Sequence, residues 1–174
     1  MRYFLVDKTV FDNNKVGMYG KLIYAILCKF LNADGTCFPS RKTISKCGNF
    51  SISTYNKYVS VMLLENVLEK KIRVRKNGSQ TSNLFKLKKN KENSFPVRSD
   101  IFSKGLSSTA VCVYICLARH VAEDNCCRVS QHLIAEKCSI SISSVIRAVK
   151  ELKSANMLET IKQTNINNNG NCVR

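Results

Sequence analysis

Ser51-Ile52-Ser53-Thr54-Tyr55-Asn56-Lys57-Tyr58-Val59 returns ninety residues later as Ser141-Ile142-Ser143-Ser144-Val145-Ile146-Arg147-Ala148-Val149. Each stretch begins with a serine, the residue type whose side-chain oxygen best accepts a hydrogen bond from the free N–H groups of a helix start. Behind that serine, Tyr55, Val59 and Met62 recur at helical spacing, as do Val145, Val149 and Leu152. The spacing predicts a helix with one buried stripe, running to about Asn66 and Asn156. Its outer face presents Ile52, Ser53, Thr54, Asn56, Lys57 and Ser60 in the first stretch. In the second it presents Ile142, Ser143, Ser144, Ile146, Arg147 and Lys150.

The correspondence spreads outward from these helices. At the same offset Tyr24 meets Tyr114, Leu27 meets Leu117, Asp34 meets Asp124, Cys37 meets Cys127, Ser40 meets Ser130 and Ile44 meets Ile134. Downstream, Asn66, Leu68 and Glu69 meet Asn156, Leu158 and Glu159. With a one-residue slip, Phe4, Val6, Val10 and Phe11 face Phe95, Val97, Ile101 and Phe102. A self-match of this length indicates two copies of one unit.

Each unit opens with a β-prone segment, Tyr3–Val6 or Phe95–Val97. A first helix follows, with an apolar stripe of Ile23, Ile26, Leu27, Phe30 and Leu31, or of Val113, Cys116, Leu117, His120 and Val121. Ser107 is the expected N-cap of the second of these. Asp34-Gly35 and Asp124-Asn125 mark turns, and Cys37-Phe38 and Cys127-Arg128 read as short strands. Ser40 and Ser130 cap a second helix, roughly Arg41–Cys47 and Gln131–Cys138. The capped third helix comes next. Ile72-Arg73-Val74-Arg75 alternates apolar and basic as a half-buried strand does. Asn77-Gly78 is a strong hairpin signal, and Leu84-Phe85-Lys86-Leu87 returns. The second hairpin has an uncharged tip, Asn165–Asn171, ahead of Cys172-Val173-Arg174, where a return strand would begin. The expected fold is mainly α with small β-hairpins (α+β), in two tandem units at residues 1–88 and 95–174 joined by a polar linker at 89–94.

Composition narrows the function. The chain carries 28 Lys and Arg against 12 Asp and Glu, a formal net charge of +16. Such an excess favours an anionic partner. Residues 1–88 hold sixteen basic against five acidic side chains, and residues 101–174 hold nine against five. The first unit should therefore supply more of the attraction to phosphate. No apolar run approaches the ~20 residues that span a bilayer, and the N-terminus lacks a signal-peptide pattern, so no membrane association and a cytoplasmic location are expected. The nine cysteines show no C-x-x-C spacing and fall at core-like positions, so they read as small hydrophobes. No catalytic residue, metal or cofactor is expected. There is no phosphate-binding glycine loop, no H-E-x-x-H motif and no histidine cluster. Tyr55 and Tyr58 could suggest a nucleophile, but the first unit contains no histidine.

A helix that reads duplex DNA needs a core on one face and small polar or basic side chains on the other. The third helices have that form. Ser53, Thr54, Asn56, Lys57 and Ser60 are the candidate contacts of the first, and Ser143, Ser144, Arg147 and Lys150 those of the second. Asn56 suits adenine and Arg147 suits guanine. Arg41 and Lys42 begin the helix that would cross the backbone. Arg73, Arg75 and Lys76 would place the hairpin against phosphate or in the minor groove.

Three stretches carry a family resemblance: Asp34-Gly35-Thr36-Cys37-Phe38-Pro39-Ser40, Ser51-Ile52-Ser53-Thr54, and Asn77-Gly78-Ser79-Gln80-Thr81-Ser82-Asn83-Leu84. They resemble a winged helix-turn-helix family common in plasmids, phages and integrated elements of low-GC Gram-positive bacteria. Leu106-Ser107-Ser108-Thr109-Ala110 with Val113-Tyr114 is similar to that family's opening helix. Tyr55 and Tyr58 depart from it, standing where the family carries smaller residues. The resemblance implies a cytoplasmic binder of double-stranded DNA. Tandem winged helices also resemble plasmid replication initiators, which implies action at an origin or control region and a homodimer or a replication or conjugation protein as further partner. Transcriptional regulation is the other role the resemblance allows, with the less charged second unit serving dimerisation or partner docking.

Overall fold

The computed structural model describes residues 2–88, 92–162 and 171–173, the last three and residues 161 and 162 by their backbone alone. Strand β1 (Tyr3–Asp7) leads into a short helix α1 (Lys8–Asp12), a 3-10 turn (Asn14–Val16) and helix α2 (Gly17–Lys29). Strand β2 (Thr36–Cys37), helices α3 (Arg41–Gly48) and α4 (Ile52–Leu64), and strands β3 (Leu68–Lys71) and β4 (Leu84–Leu87) follow. Strand β5 (Ser94–Arg98) and a 3-10 turn (Ser99–Ser103) open the second half. Helices α5 (Ser108–Arg119), α6 (Gln131–Cys138) and α7 (Ile142–Ser154) and strands β6 (Thr160–Lys162) and β7 (Asn171–Val173) complete it. The fold is α+β, with seven α-helices among the described residues and small antiparallel sheets.

The ninety-residue interval seen in the sequence is also an interval of backbone geometry. Gly35 and Asn125, Asn49 and Ser139, and Asn66 and Asn156 all have positive φ. The bonds Phe50 N–H to Ser45 C=O and Val67 N–H to Met62 C=O recur as Ile140 to Ala135 and Met157 to Leu152. The predicted serine caps are in place. Ser40, Ser51, Ser107, Ser130 and Ser141 each accept from the N–H three residues on, at 3.0–3.2 Å.

The two openings pair with one another. In the antiparallel β1–β5 ribbon Phe4 faces Val97 and Val6 faces Phe95. Phe95 and Val97 are themselves the counterparts of Phe4 and Val6, so exchanging the two strands leaves the pairing unchanged. That is the signature of a two-fold relation, as at an isologous dimer interface. The rest of the junction follows it. Helix α2 packs on α5, α3 packs on the 3-10 turn at Ser99–Ser103, and α6 packs on that at Asn14–Val16. The Ser108 hydroxyl donates to the carbonyls of Gly48 and Asn49 at 2.7 and 2.8 Å. The buried Lys21 ammonium donates to the Lys137 carbonyl at 2.5 Å, in the last turn of α6, where the helix dipole favours a cation. One apolar core runs through both halves.

This packing revises several expectations. Helix α2 is buried from Leu22 through Cys28 rather than along one stripe, because α4 covers one side and α5 another. Phe30 and His120 lie just beyond their helices as C-caps. On α7 the buried residues are Val145, Ala148 and Leu152. Ala148 takes the core-facing place where the first half has the half-buried Tyr58, and Val149 is left half-buried. Ile72–Arg75 is exposed. The hairpin's first strand is Leu68–Lys71, of which Leu68 alone is buried, and beyond it the ribbon projects past the core, so alternation there has nothing to be buried against. The Val74–Gln80 bridge and the Asn77-Gly78 turn, with Gly78 at φ 81°, close it. In place of a Cys127-Arg128 strand there is a single bridge from Cys127 to Val121. Cys172 and Val173 do belong to a return strand, opposite Ile161 and Thr160. Residues 165–170 of the second hairpin tip and 89–91 of the linker lie outside the described residues.

Gly48 ends α3 against the Phe50 ring. A Cβ there would lie 2.0 Å from Cε1 of Phe50 and 3.0 Å from Cδ1 of Ile26. The second half has Cys138 and Ile140 at these places, a larger residue matched by a smaller one. Gly48→Ala should therefore cost about 1–3 kcal/mol, the usual penalty of overpacking, and Gly48→Ala/Phe50→Ile should recover most of it in denaturant melts.

Asp12 ties the halves together, accepting from Arg119 at 2.8 Å and from Lys137 at 2.9 Å. Its partial burial acts to raise its pKa, but the hydrogen bonds and charges of Arg119 and Lys137 outweigh that and hold it below the ordinary carboxylate value. A depressed native pKa contributes stability above the unfolded value near 4, and the contribution is lost as pH falls through the native value. Asp12→Asn should destabilise by about 0.5–1 kcal/mol at pH 7, small because the pair is solvent-accessible. The difference from wild type should close as unfolding is measured at progressively lower pH below about 4.

Candidate nucleic-acid interface

Helices α3 and α4 meet through a tight turn. Asn49 takes the left-handed conformation that ends α3, and two residues later Ser51 caps α4. Left-handed backbone is accessible to Asn with little strain. The second half repeats the turn with Ser139 and Ser141. Two short helices are thereby joined with the second projecting its N-terminus, the arrangement by which a helix enters the major groove.

The predicted side chains sit as follows. Ser53, Asn56, Lys57 and Ser60 are exposed on α4, and Thr54 is half-exposed. The Ser51 hydroxyl lies 2.7 Å from that of Ser53 and 2.9 Å from that of Thr54, so the cap orients both. Ser60 donates back to the Asn56 carbonyl at 3.1 Å, and the Lys57 ammonium lies over the Tyr58 ring. On α7, Ser143, Arg147 and Lys150 are exposed and Ser144 is half-exposed. Ser141 holds Ser143 and Ser144 in the same way, and Arg147 reaches Ser144 at 3.3 Å. Arg41 and Lys42 are exposed in the first turn of α3, and Arg73, Arg75 and Lys76 are exposed on the hairpin.

The structure brings the α3 and hairpin groups together. Arg41, Lys42, Tyr55 and Arg75 line one cleft of about 380 Å³, with Gln80 and Asn83 opposite. Burial raises the Tyr55 phenol above its ordinary pKa, opposed by its hydrogen bond to Asn83 and by the charge of Arg41. Tyr55 is thus buried between helix and hairpin. Sequence reasoning missed Gln80, Asn83 and Phe38. Phe38 is half-exposed to solvent, and the Arg73 guanidinium lies over its ring at 4.8 Å, an arrangement that orients the cation. The Asn83 pairing has no local sequence signal, because Tyr55 is twenty-eight positions away.

Five ion pairs are found among the described residues, and their cations are Arg98, Lys104, Arg119, Arg128 and Lys137. The cations of the two candidate helices and of the hairpin are in none of them. They face solvent without an internal counter-ion, the state in which phosphate neutralisation is most favourable.

Residues 104–158 match the model of a helix-turn-helix domain family. The match spans α5, α6 and α7, the three helices whose geometry α2, α3 and α4 repeat. No curated protein matches the chain. Among the described residues no helix is long and apolar enough to cross a membrane, and no three His, Cys, Asp or Glu side chains converge as a metal site would require. Of the eight cysteines whose side chains are described, all are buried except Cys47, which is half-buried. Burial pushes the Cys37 thiol up to about 12, which keeps it from acting as a thiolate.

Replacing Arg73, Arg75 and Lys76 together with Ala should flatten the dependence of log affinity for duplex DNA on log salt. The slope should fall by about 0.9 for each phosphate contact removed. An unchanged slope with an unchanged melting temperature would take the hairpin out of the interface.

Proposed function

We propose that the chain is a sequence-specific double-stranded DNA-binding protein built from two tandem winged helix-turn-helix units. The observation that carries this reading is the pair of serine-capped helices, α4 and α7, with polar and basic outer faces free of internal ion pairs. The helix-turn-helix match at residues 104–158 supports DNA as the partner. The protein would act by assembling on DNA, at a replication origin or control region of a bacterial mobile element and in the cytoplasm. The lower charge of the second half favours one variant, a transcriptional regulator whose second unit mainly docks a partner or another copy.

The two-fold relation of the β1–β5 ribbon sharpens the target. Units related by a two-fold read half-sites of opposite orientation, since the symmetry of a site mirrors that of its reader. The half-sites should be unequal, because Asn56 and Lys57 on α4 stand where Ile146 and Arg147 stand on α7. Selection of bound duplexes from a random pool should thus return an imperfect inverted repeat. Ser53→Ala, Asn56→Ala and Lys57→Ala should each cost about 1–3 kcal/mol on that site and less on random duplex. Recovery of a single half-site would leave one reader. Recovery of no preferred sequence would reject specific recognition.

A further inference from the structure

We infer, given the DNA-binding reading above, that the first hairpin is a wedge that kinks the duplex. Ile72 and Val74 enter between base steps from the minor groove, while Arg73, Arg75 and Lys76 hold the phosphates on either side. The stretch Lys70-Lys71-Ile72-Arg73-Val74-Arg75-Lys76 has five cations, two β-branched apolar side chains and no carboxylate. None of its cations is in an ion pair among the described residues. Ile72 is 67% exposed and Val74 is 61% exposed. Single exposed aliphatic side chains are ordinary on a protein surface. Two on one projecting ribbon, set between unpaired cations, are a composite surface.

The backbone carries that surface clear of the core. Lys71 stands opposite Leu84 and Val74 opposite Gln80, so residues 72 and 73 face residues 81–83. The extra residue of the return strand is a bulge, the device that bends a ribbon and re-aims its side chains. Side chains alternate along an extended strand. Arg73 lies over Phe38, and Arg75 lines the cleft with Arg41 and Tyr55. Ile72 and Val74 take the alternate positions and stand clear of that cleft. What covers them must be apolar at two points and anionic around them. A second copy of the ribbon would set five cations against five, which repel. The minor groove meets both demands. Phosphates border it, and base steps opened there offer stacking faces to an inserted aliphatic side chain, which kinks the duplex. Ninety residues on, the same positions read Thr160-Ile161-Lys162-Gln163-Thr164-Asn165-Ile166, with one cation. The kink therefore belongs to the first half.

Ring closure of a short duplex is the test. A duplex of about 100 base pairs is shorter than the DNA persistence length of about 150 base pairs, so ligase seldom joins its ends into a circle unless the duplex is bent. The full chain, at a concentration at which a gel shift shows all the duplex bound, should raise the yield of circles about tenfold or more over DNA alone. Ile72→Ser/Val74→Ser, which keeps every cation, should lose most of that gain when the duplex is again fully bound. If that variant fails to fold, Ile72→Thr/Val74→Thr, which keeps the β-branched shape that strands favour, decides in its place. Undiminished circles with the folded variant would overturn the wedge, since the bend would then come from phosphate neutralisation alone. Full binding by the wild-type chain without circles would overturn the kink and leave the DNA-binding reading standing. Failure to retard duplex DNA even at low salt would overturn both. Sedimentation without DNA checks the other occupant: self-association of the wild type that the serine variant loses would assign this face to a protein contact and overturn the proposal.

Discussion

The antiparallel pairing of β1 with β5 is the constraint on which the rest of the structure depends. The pairing brings together the openings of the two copies, so their first helices, α2 and α5, lie back to back beneath the ribbon. A helix buried on that many sides cannot be amphipathic, and α2 accordingly reads apolar almost throughout. The three-helix units are then set by α2 and α5, with α3 and α4 packed on one and α6 and α7 on the other. Both candidate DNA-reading helices are thus positioned by a junction that neither of them touches in sequence.

Most of each unit was legible from residue pattern, because its determinants are local. Serine caps, the Asn49 turn, the stripe of Tyr55, Val59 and Met62 and the Asn77-Gly78 hairpin each act within a few residues. The exposed positions of Ser53, Asn56 and Lys57 follow from that stripe by helical geometry. What pattern could not show is long-range. Phe4 and Val97 carry no mark that they pair, since an exposed β-prone segment looks the same whichever edge it meets. The burial of Lys21, the meeting of Asn83 with Tyr55 in one cleft and the exposure of Ile72 and Val74 have the same cause. Each depends on what lies across space, and the hairpin's alternation was read as half-burial although no core extends beneath it.

The two halves differ in side chains at positions where their turns and caps correspond. Gly48 with Phe50 and Cys138 with Ile140 fill the same space by opposite means. Glu151 on α7 accepts from both the N–H and the hydroxyl of Ser107 at 2.6 Å, a carboxylate placed at the start of α5, where the dipole favours it. Val61 occupies its place in the first copy. Such exchanges keep the corresponding turns and caps while altering packing and, at Glu151, charge.

That shared core also bears on why so uneven a charge is tolerated. Like charges crowded on one face repel and destabilise a compact state, and units of about ninety residues have limited burial to set against this. The acidic side chains are not spent on the exposed cations of the hairpin and α4. Asp12 pairs instead with Arg119 and Lys137 across the junction, and Asp100 pairs with Arg98 at the end of β5. Asp12 reinforces the contact between the halves while the candidate interface keeps its cations unneutralised. Joining the halves through one core raises the buried apolar area available to each, and this offsets the repulsion among the exposed cations of α4 and the hairpin.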